Sequence, residues 1–165
     1  MEHILSIVTF LPLLGALIVF FSPAAAARMI ALGVSLLTFA ASVPLWWMYE
    51  ADGAGPIEGY PTFQLIEGPT PWIADLGVNY FVGIDGIALL LVLLTTLLTP
   101  IVVFSSFRSI TTRVNLYMGF MLLLETGMIG TFVALDTFLF YVFWELMLIP
   151  MYFLIGIWGG SEEIS

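Results

Sequence analysis

The chain has 165 residues, of which 61% are hydrophobic and 9% charged, with a formal charge of -9 and a mean hydropathy of +1.12. Such a composition excludes an ordinary soluble domain and describes a chain whose solvent is lipid. The absence of cysteine excludes a disulfide framework, a thiolate nucleophile and iron–sulfur ligation by this chain, and with only 3 cationic residues there is no basic patch for nucleic acid.

A membrane-spanning helix needs about 20 mostly apolar residues. Runs of that kind are Ile4 to Phe21, Met29 to Tyr49, Ile84 to Phe107, Val114 to Leu135 and Thr137 to Trp158. They predict an all-α fold: a polytopic membrane helix bundle of five transmembrane helices, with residues 1–165 as a single transmembrane domain and residues 50–82 as an outer loop.

The first run is flanked by Glu2 and His3, not by Lys or Arg, and is longer than the apolar region of a signal peptide. It therefore reads as a retained helix, although Ala24 to Ala27 imitate a cleavage site. Pro12 and Gly15 are tolerated there if neighbouring helices satisfy the freed backbone groups. His3 reads as a solvated end without a role, and Ser22 to Arg28 as a turn. The second helix closes on Trp46, Trp47 and Tyr49, and Tyr80 and Phe81 precede the third, a pattern expected of an interfacial aromatic belt.

Between those helices fall Glu50, Asp52, Glu58, Glu67 and Asp75, so the net charge reports topology more than ligand. Two strand-like runs in the same loop, Phe63 to Ile66 and Val78 to Val82, are expected to pair as a small hairpin capping the bundle, with Gly68-Pro69-Thr70-Pro71 between them. At Gly83-Ile84-Asp85-Gly86 the aspartate is placed to cap the third helix. Pro100 predicts a bend near the other end of that helix, with Thr95, Thr96 and Thr99 available to released carbonyls. Arg28, Arg108 and Arg113 all lie in the first and third connections. By the positive-inside rule that side is cytoplasmic, the N-terminus is outside, and Gly159 to Ser165 emerges in the cytoplasm.

The fourth and fifth helices each carry a carboxylate inside an apolar run, Glu125 and Glu145. Charged groups near the bilayer centre cost roughly 2.5–3.5 kcal/mol on insertion scales, so such residues are expected to face protein or water and to mark an ion or proton path. The turn at Asp136 makes the two helices adjacent and antiparallel, and counting about 1.5 Å per residue from it predicts similar depths for the two groups. Thr137, Tyr141, Glu145 and Tyr152 share one stripe of the fifth helix. That stripe is expected to face the bundle or a hydrated path. Pro150 is placed to free the carbonyl of Leu146 beside the glutamate.

A membrane carboxyl can carry a proton because burial favours its neutral form and an approaching cation its ionised form, and two such groups in contact titrate as a pair. A structural alternative is that each glutamate hydrogen-bonds a neighbouring helix; for Glu125 the small face formed by Thr126, Gly127, Gly130 and Thr131 also suits close packing. The chain has no lysine, and its arginines lie outside the apolar runs. No cation of its own can pair with Glu145.

The stretch LFYVFWELMLIPMYFLIGIWGG resembles the antiporter-like membrane subunits of NADH-quinone oxidoreductase, respiratory complex I, and within them most closely chain M; GIDGIALLLVLLTTLLTPI and LLLETGMIGTFVALD are similar to the same family. The resemblance covers all the predicted helices and corresponds to the N-terminal third of that family. It implies proton translocation coupled to quinone reduction in another part of the enzyme. It also implies that Glu145 is the essential proton-channel glutamate, partnered by a lysine two helices further on, and that Glu125 matches an acidic position on the fourth helix. Flavin, iron–sulfur clusters and quinone are expected in other subunits and none in this chain. The expected partners are the other membrane-arm subunits, the lipid bilayer and protons, with no nucleic acid. The expected location is the bacterial inner (plasma) membrane, or alternatively an organellar energy-transducing membrane. Two other readings remain open: a cation/proton antiporter subunit, and a purely structural membrane-arm scaffold.

Overall fold

A computed structural model of the chain describes residues 3–50 and 63–159. Asp52 and Glu58 of the acidic loop, and residues 160–165 with their expected cytoplasmic exit, lie outside the described residues. The first helix, α1, spans Ile4–Phe20, passing through Pro12. The second, α2, spans Ala24–Ser42 and begins well before the expected Met29. Alanine is the strongest helix former, so Ala24 to Ala27 extend the helix back to Pro23, which was expected to be in a turn. Pro44 has no N–H to donate, and beyond it only the short α3, Leu45–Met48, continues; the expected helix from Met29 to Tyr49 is thus two pieces.

Then follow α4, Gly86–Ser109, α5, Val114–Val133, and α6, Thr137–Trp158. Asp85 caps α4 as its sequence position predicts, accepting from the Ala88 N–H at 2.8 Å. The hydroxyls near Pro100 find other partners than expected. Thr95, Thr96 and Thr99 donate to the carbonyls of Leu91, Leu93 and Thr95, not to that of Thr96, which the proline leaves without its usual donor. Four stretches, Ala24–Met48, α4, α5 and α6, are long and apolar enough to cross a membrane, whereas α1 is shorter, at 17 residues.

The fold is mostly helical without being all-α. Strands β1, Gln64–Ile73, and β2, Val78–Ile84, form an antiparallel hairpin. The pairing of the two expected runs holds, but Gly68 to Pro71 lie within β1 and not in the turn, which is the 3-10 segment Ala74–Leu76 with Gly77. The register runs Gln64↔Ile84, Glu67↔Val82, Thr70↔Tyr80 and Ile73↔Val78, with irregularities between these pairs. They fit a strand whose two prolines cannot donate to the ladder. At Gly68, φ is 95° and a side chain would run into the Tyr80 carbonyl, so only glycine lets the strand continue there.

The hairpin sits at one end of the bundle, where α1 and α4 begin. It is joined to the α5–α6 connection by the Leu135 N–H to the Phe81 carbonyl, 2.8 Å, and by the Asn79 N–H to Asp136 Oδ2, 3.1 Å. Asp136 also caps α6 through the Leu139 N–H. The aromatic belt is only partly formed at this end. Trp46 and Trp47 are exposed, but Phe81 is buried and Tyr80 turns inward to Ser6. All three arginines collect at the opposite end: Arg28 donates to the Ile110 carbonyl, Arg108 lies in the last turn of α4, and Arg113 precedes α5.

At the centre stands α5, packed against α1, α2, α4 and α6. Toward the hairpin, Leu5, Val8, Ile84, Val92, Ile129 and Val133 form one core. Toward the arginines, Ala16, Val19, Ala31, Val103, Met118 and Leu122 form another. Bonds within the bundle also join helices: Ser42 meets Thr96 at 2.7 Å and Ser106 meets Tyr117 at 2.8 Å.

Candidate functional site

Glu125 lies midway along α5, between the two cores, and is 1% exposed. Neither carboxyl oxygen has a hydrogen-bond partner among the described residues, nor does the hydroxyl of the adjacent, fully buried Thr126. Its side chain stands in the wall of a cavity of about 310 Å³ between α4 and α5, together with Thr95, Leu98, Thr99, Leu124 and Met128. The predicted small-residue face is present on the other side of α5. Gly127 lies against the Met147 backbone, where a Cβ would come within 2.9 Å, and Gly130 lies against the Phe143 ring. Small residues allow that approach of α6, and they leave Glu125 facing α4.

Glu145 is half-buried on α6 and does not line the cavity beside Glu125. Of its predicted stripe, Thr137 is exposed and Tyr141 and Tyr152 are 57% and 75% exposed. Of the two expectations, bundle or hydrated path, the stripe does not meet the first among the described residues, since it points away from the neighbouring helices. Leu139, Phe143 and Pro150 are the buried positions of α6, and α6 meets α5 at Phe143 and Met147.

The depths of the two carboxyls also differ from the count made along the chain. With Gly127 against Met147 and the helices antiparallel, Glu125 lies level with about Ile149 and Glu145 with about Ile129. At ~1.5 Å per residue that is an offset of about 6 Å. Ala134 and Leu135 are extended against β2, which raises the start of α6 and shifts the register. The two glutamates thus face different neighbours at different levels.

Sequence reasoning left one carboxylate without a role. Glu67 of β1 is 5% exposed and accepts from the Leu5 N–H at 2.8 Å, the Ser6 N–H at 3.2 Å and the Ser6 hydroxyl. The carboxylate thereby satisfies the free N–H groups at the start of α1, whose own first residues supply no side-chain cap. His3, expected to have no role, places Nδ1 3.5 Å from Glu67. Because the Ser6 hydrogen is engaged by Glu67, the Tyr80 hydroxyl is the donor in its 2.6 Å contact with Ser6. Burial pushes the Tyr80 phenol up from its ordinary value; the Ser6 bond works against that shift and the Glu67 charge adds to it. An acidic residue in a loop gives no sequence signal for capping a helix 62 positions away.

Among the described residues no group of three His, Asp or Glu side chains could hold a metal ion. What the bundle offers chemically is a buried carboxyl without a hydrogen-bond donor among the described residues, a second carboxyl on an open helix face, and arginines only at the opposite end of the bundle from the hairpin.

No protein-family model matches the chain. Individual relatives do. NADH-quinone oxidoreductase subunit M of Rhodobacter capsulatus is 43% identical over 171 aligned positions, covering 99% of this chain and 31% of the relative. NADH-ubiquinone oxidoreductase chain 4 of Marchantia polymorpha is 38% identical over 93% of this chain and 30% of its own length. NAD(P)H-quinone oxidoreductase chain 4 2 of Thermosynechococcus vestitus is 36% identical over 96% of this chain and 29% of its own length. The chain spans about a third of the length of these relatives. Along nearly all of its own length, it is a homologue of the subunit M, or chain 4, family of NADH-quinone oxidoreductases.

Proposed function

We propose that this chain is part of a membrane-arm subunit of an NADH-quinone oxidoreductase and takes part in proton translocation coupled to quinone reduction. Glu145 is the switched proton carrier and Glu125 a second proton-transfer residue. The homology supports the parent enzyme, and the observation that carries the reading is the Glu125 carboxyl, buried among apolar helices with no hydrogen-bond partner among the described residues. A group kept only for packing would be expected to have found a donor or been replaced by an apolar residue, because an unpartnered buried carboxylate costs several kcal/mol. Redox cofactors belong to other subunits of the parent enzyme, and the partners of this chain are its membrane-arm neighbours. The exposed polar stripe around Glu145 is where the missing cation would approach.

The protein is a multi-pass protein of the bacterial inner membrane. We place five helices across the bilayer: α1, α2 continued by α3, α4, α5 and α6. The N-terminus and hairpin are outside, and the arginine-bearing end and C-terminus are in the cytoplasm, following the positive-inside rule. A tag between residues 50 and 63 is then open to protease from outside in sealed right-side-out vesicles; protection of that tag overturns the orientation.

The functional test is Glu145→Gln and Glu125→Gln in the full-length subunit of the assembled enzyme. Glu145→Gln is expected to reduce quinone-coupled proton transfer by at least roughly tenfold, since a positioned proton carrier is worth that much or more. Full pumping by an assembled Glu145→Gln enzyme would remove Glu145 from the mechanism.

A further inference from the structure

The cavity beside Glu125 has an unusual balance of hydrogen-bonding groups. Its two hydroxyls, Thr95 and Thr99, already donate their hydrogens within α4, to the carbonyls of Leu91 and Thr95, each at 2.8 Å. Toward the cavity both oxygens offer lone pairs only. An ionised Glu125 is also an acceptor only. The polar side chains around the space therefore present acceptors and no donor, and the rest of the wall is leucine, methionine, valine and phenylalanine. The space, about 310 Å³ and partly open past the exposed Leu94 and Leu98, exceeds the ~10–15 Å³ that one water needs.

From this we infer that the α4–α5 cavity is a water site through which Glu125 exchanges its proton, with Thr99 as the positioning residue that accepts from the protonated acid or from its bridging water. The inference deepens the proposed role of Glu125 and rests on it. The occupant must bring hydrogens, which water does. The step is a single proton transfer: the Glu125 O–H breaks, a water O–H forms to give hydronium, and the carboxylate remains until a proton returns. Exchange then runs along the α4–α5 groove, on the side of α5 opposite Glu145. The carboxyl oxygens have almost no accessible surface, so a turn of the Glu125 side chain toward Thr99 accompanies each exchange.

The test is infrared difference spectroscopy on the assembled enzyme containing the full-length subunit, taking wild type minus Glu125→Gln to isolate the carbonyl stretch of the protonated acid. A band that shifts on transfer to heavy water is expected. Thr99→Val is expected to move it toward the frequency of a free acid and slow the exchange several-fold, and Thr99→Ser to restore both. A band indifferent to heavy water, or unchanged in Thr99→Val, overturns the site, as does a band abolished by sodium at constant pH, which would mark a cation site. Thr99→Val retains the side-chain shape, and the Thr99→Ser rescue separates loss of the hydroxyl from damage to the fold. If the band behaves as expected while Glu125→Gln still pumps, the water site stands and the pumping role of Glu125 falls.

Discussion

Two glutamates in this chain are buried to nearly the same degree and live in opposite surroundings. Glu67, at 5% exposure, is surrounded by hydrogens from two backbone amides and a serine hydroxyl, with a histidine nearby. Glu125, at 1%, has no hydrogen-bond partner among the described residues. Burial by itself therefore says little about what a carboxylate is for. The first group holds the hairpin to the start of α1 and is the structural member of the pair. The second makes no hydrogen bond among the described residues, and is the candidate for chemistry.

The comparison breaks most readily at Glu67. Glu67→Leu strands the Leu5 and Ser6 N–H groups and the Ser6 hydroxyl, and hydrogen bonds to a charged acceptor are worth about 1.5–3 kcal/mol each when made. Water reaching the helix end recovers part of that, so a loss of about 3 kcal/mol is expected, read from unfolding of the full-length protein by SDS titration in mixed micelles. A loss under about 0.5 kcal/mol, the range of an ordinary surface substitution, would show that the cap contributes little.

Asp136→Ala comes next. It removes the cap on α6 and the acceptor for the Asn79 N–H, with an expected cost of about 1–2 kcal/mol by the same measurement. Hydrogen exchange sharpens this one, because opening should concentrate at Asn79 and Leu139. Uniform loosening of the whole bundle would contradict the assignment.

Tyr80→Phe deletes a neutral donor to Ser6 and is expected to cost about 1 kcal/mol near neutral pH. It also has a signature in alkali. The folded phenol is held above its ordinary value of 10.0, so its contribution is fully present below that value. As pH rises through it toward the folded value, the unfolded chain releases the proton first and stability falls. Wild type should lose stability above about pH 10 more steeply than Tyr80→Phe. Parallel curves would mean that the phenol is not buried against Ser6.

Hydropathy alone located the apolar helices, and the polar groups inside them marked Glu125 and Glu145. The cap at Asp85 and the contact face at Gly127 and Gly130 were equally legible, because each depends on a few residues close together in sequence. The role of Glu67 was not, since its partners lie across the fold and a loop acid carries no mark of where its carboxylate will land. The start of α2 was missed because alanine is a strong helix former but only mildly apolar, so a hydropathy count passes over it. Periodicity correctly put Tyr141, Glu145 and Tyr152 on one stripe. Which side that stripe faces depends on the rotation of α6, which packs Phe143 and Met147 against Gly130 and Gly127 of α5.

The smallest expected effect is the most telling. Glu125→Leu replaces a carboxyl without partners by an apolar side chain in a wall already built of leucine and methionine, removing the desolvation penalty while breaking no hydrogen bond identified among the described residues. Replacing buried polar groups by apolar ones of similar volume is often neutral or stabilising. A change within about 0.5 kcal/mol of zero, or a gain of up to about 2 kcal/mol, is expected in SDS-titration unfolding. Proton transfer by the same variant should fail. A destabilisation as large as that of Glu67→Leu would mean that Glu125 holds helices together through a bridging water or a neighbouring subunit, making both glutamates structural. A stable fold with lost transfer would instead separate them: one carboxylate for the architecture and one for the proton.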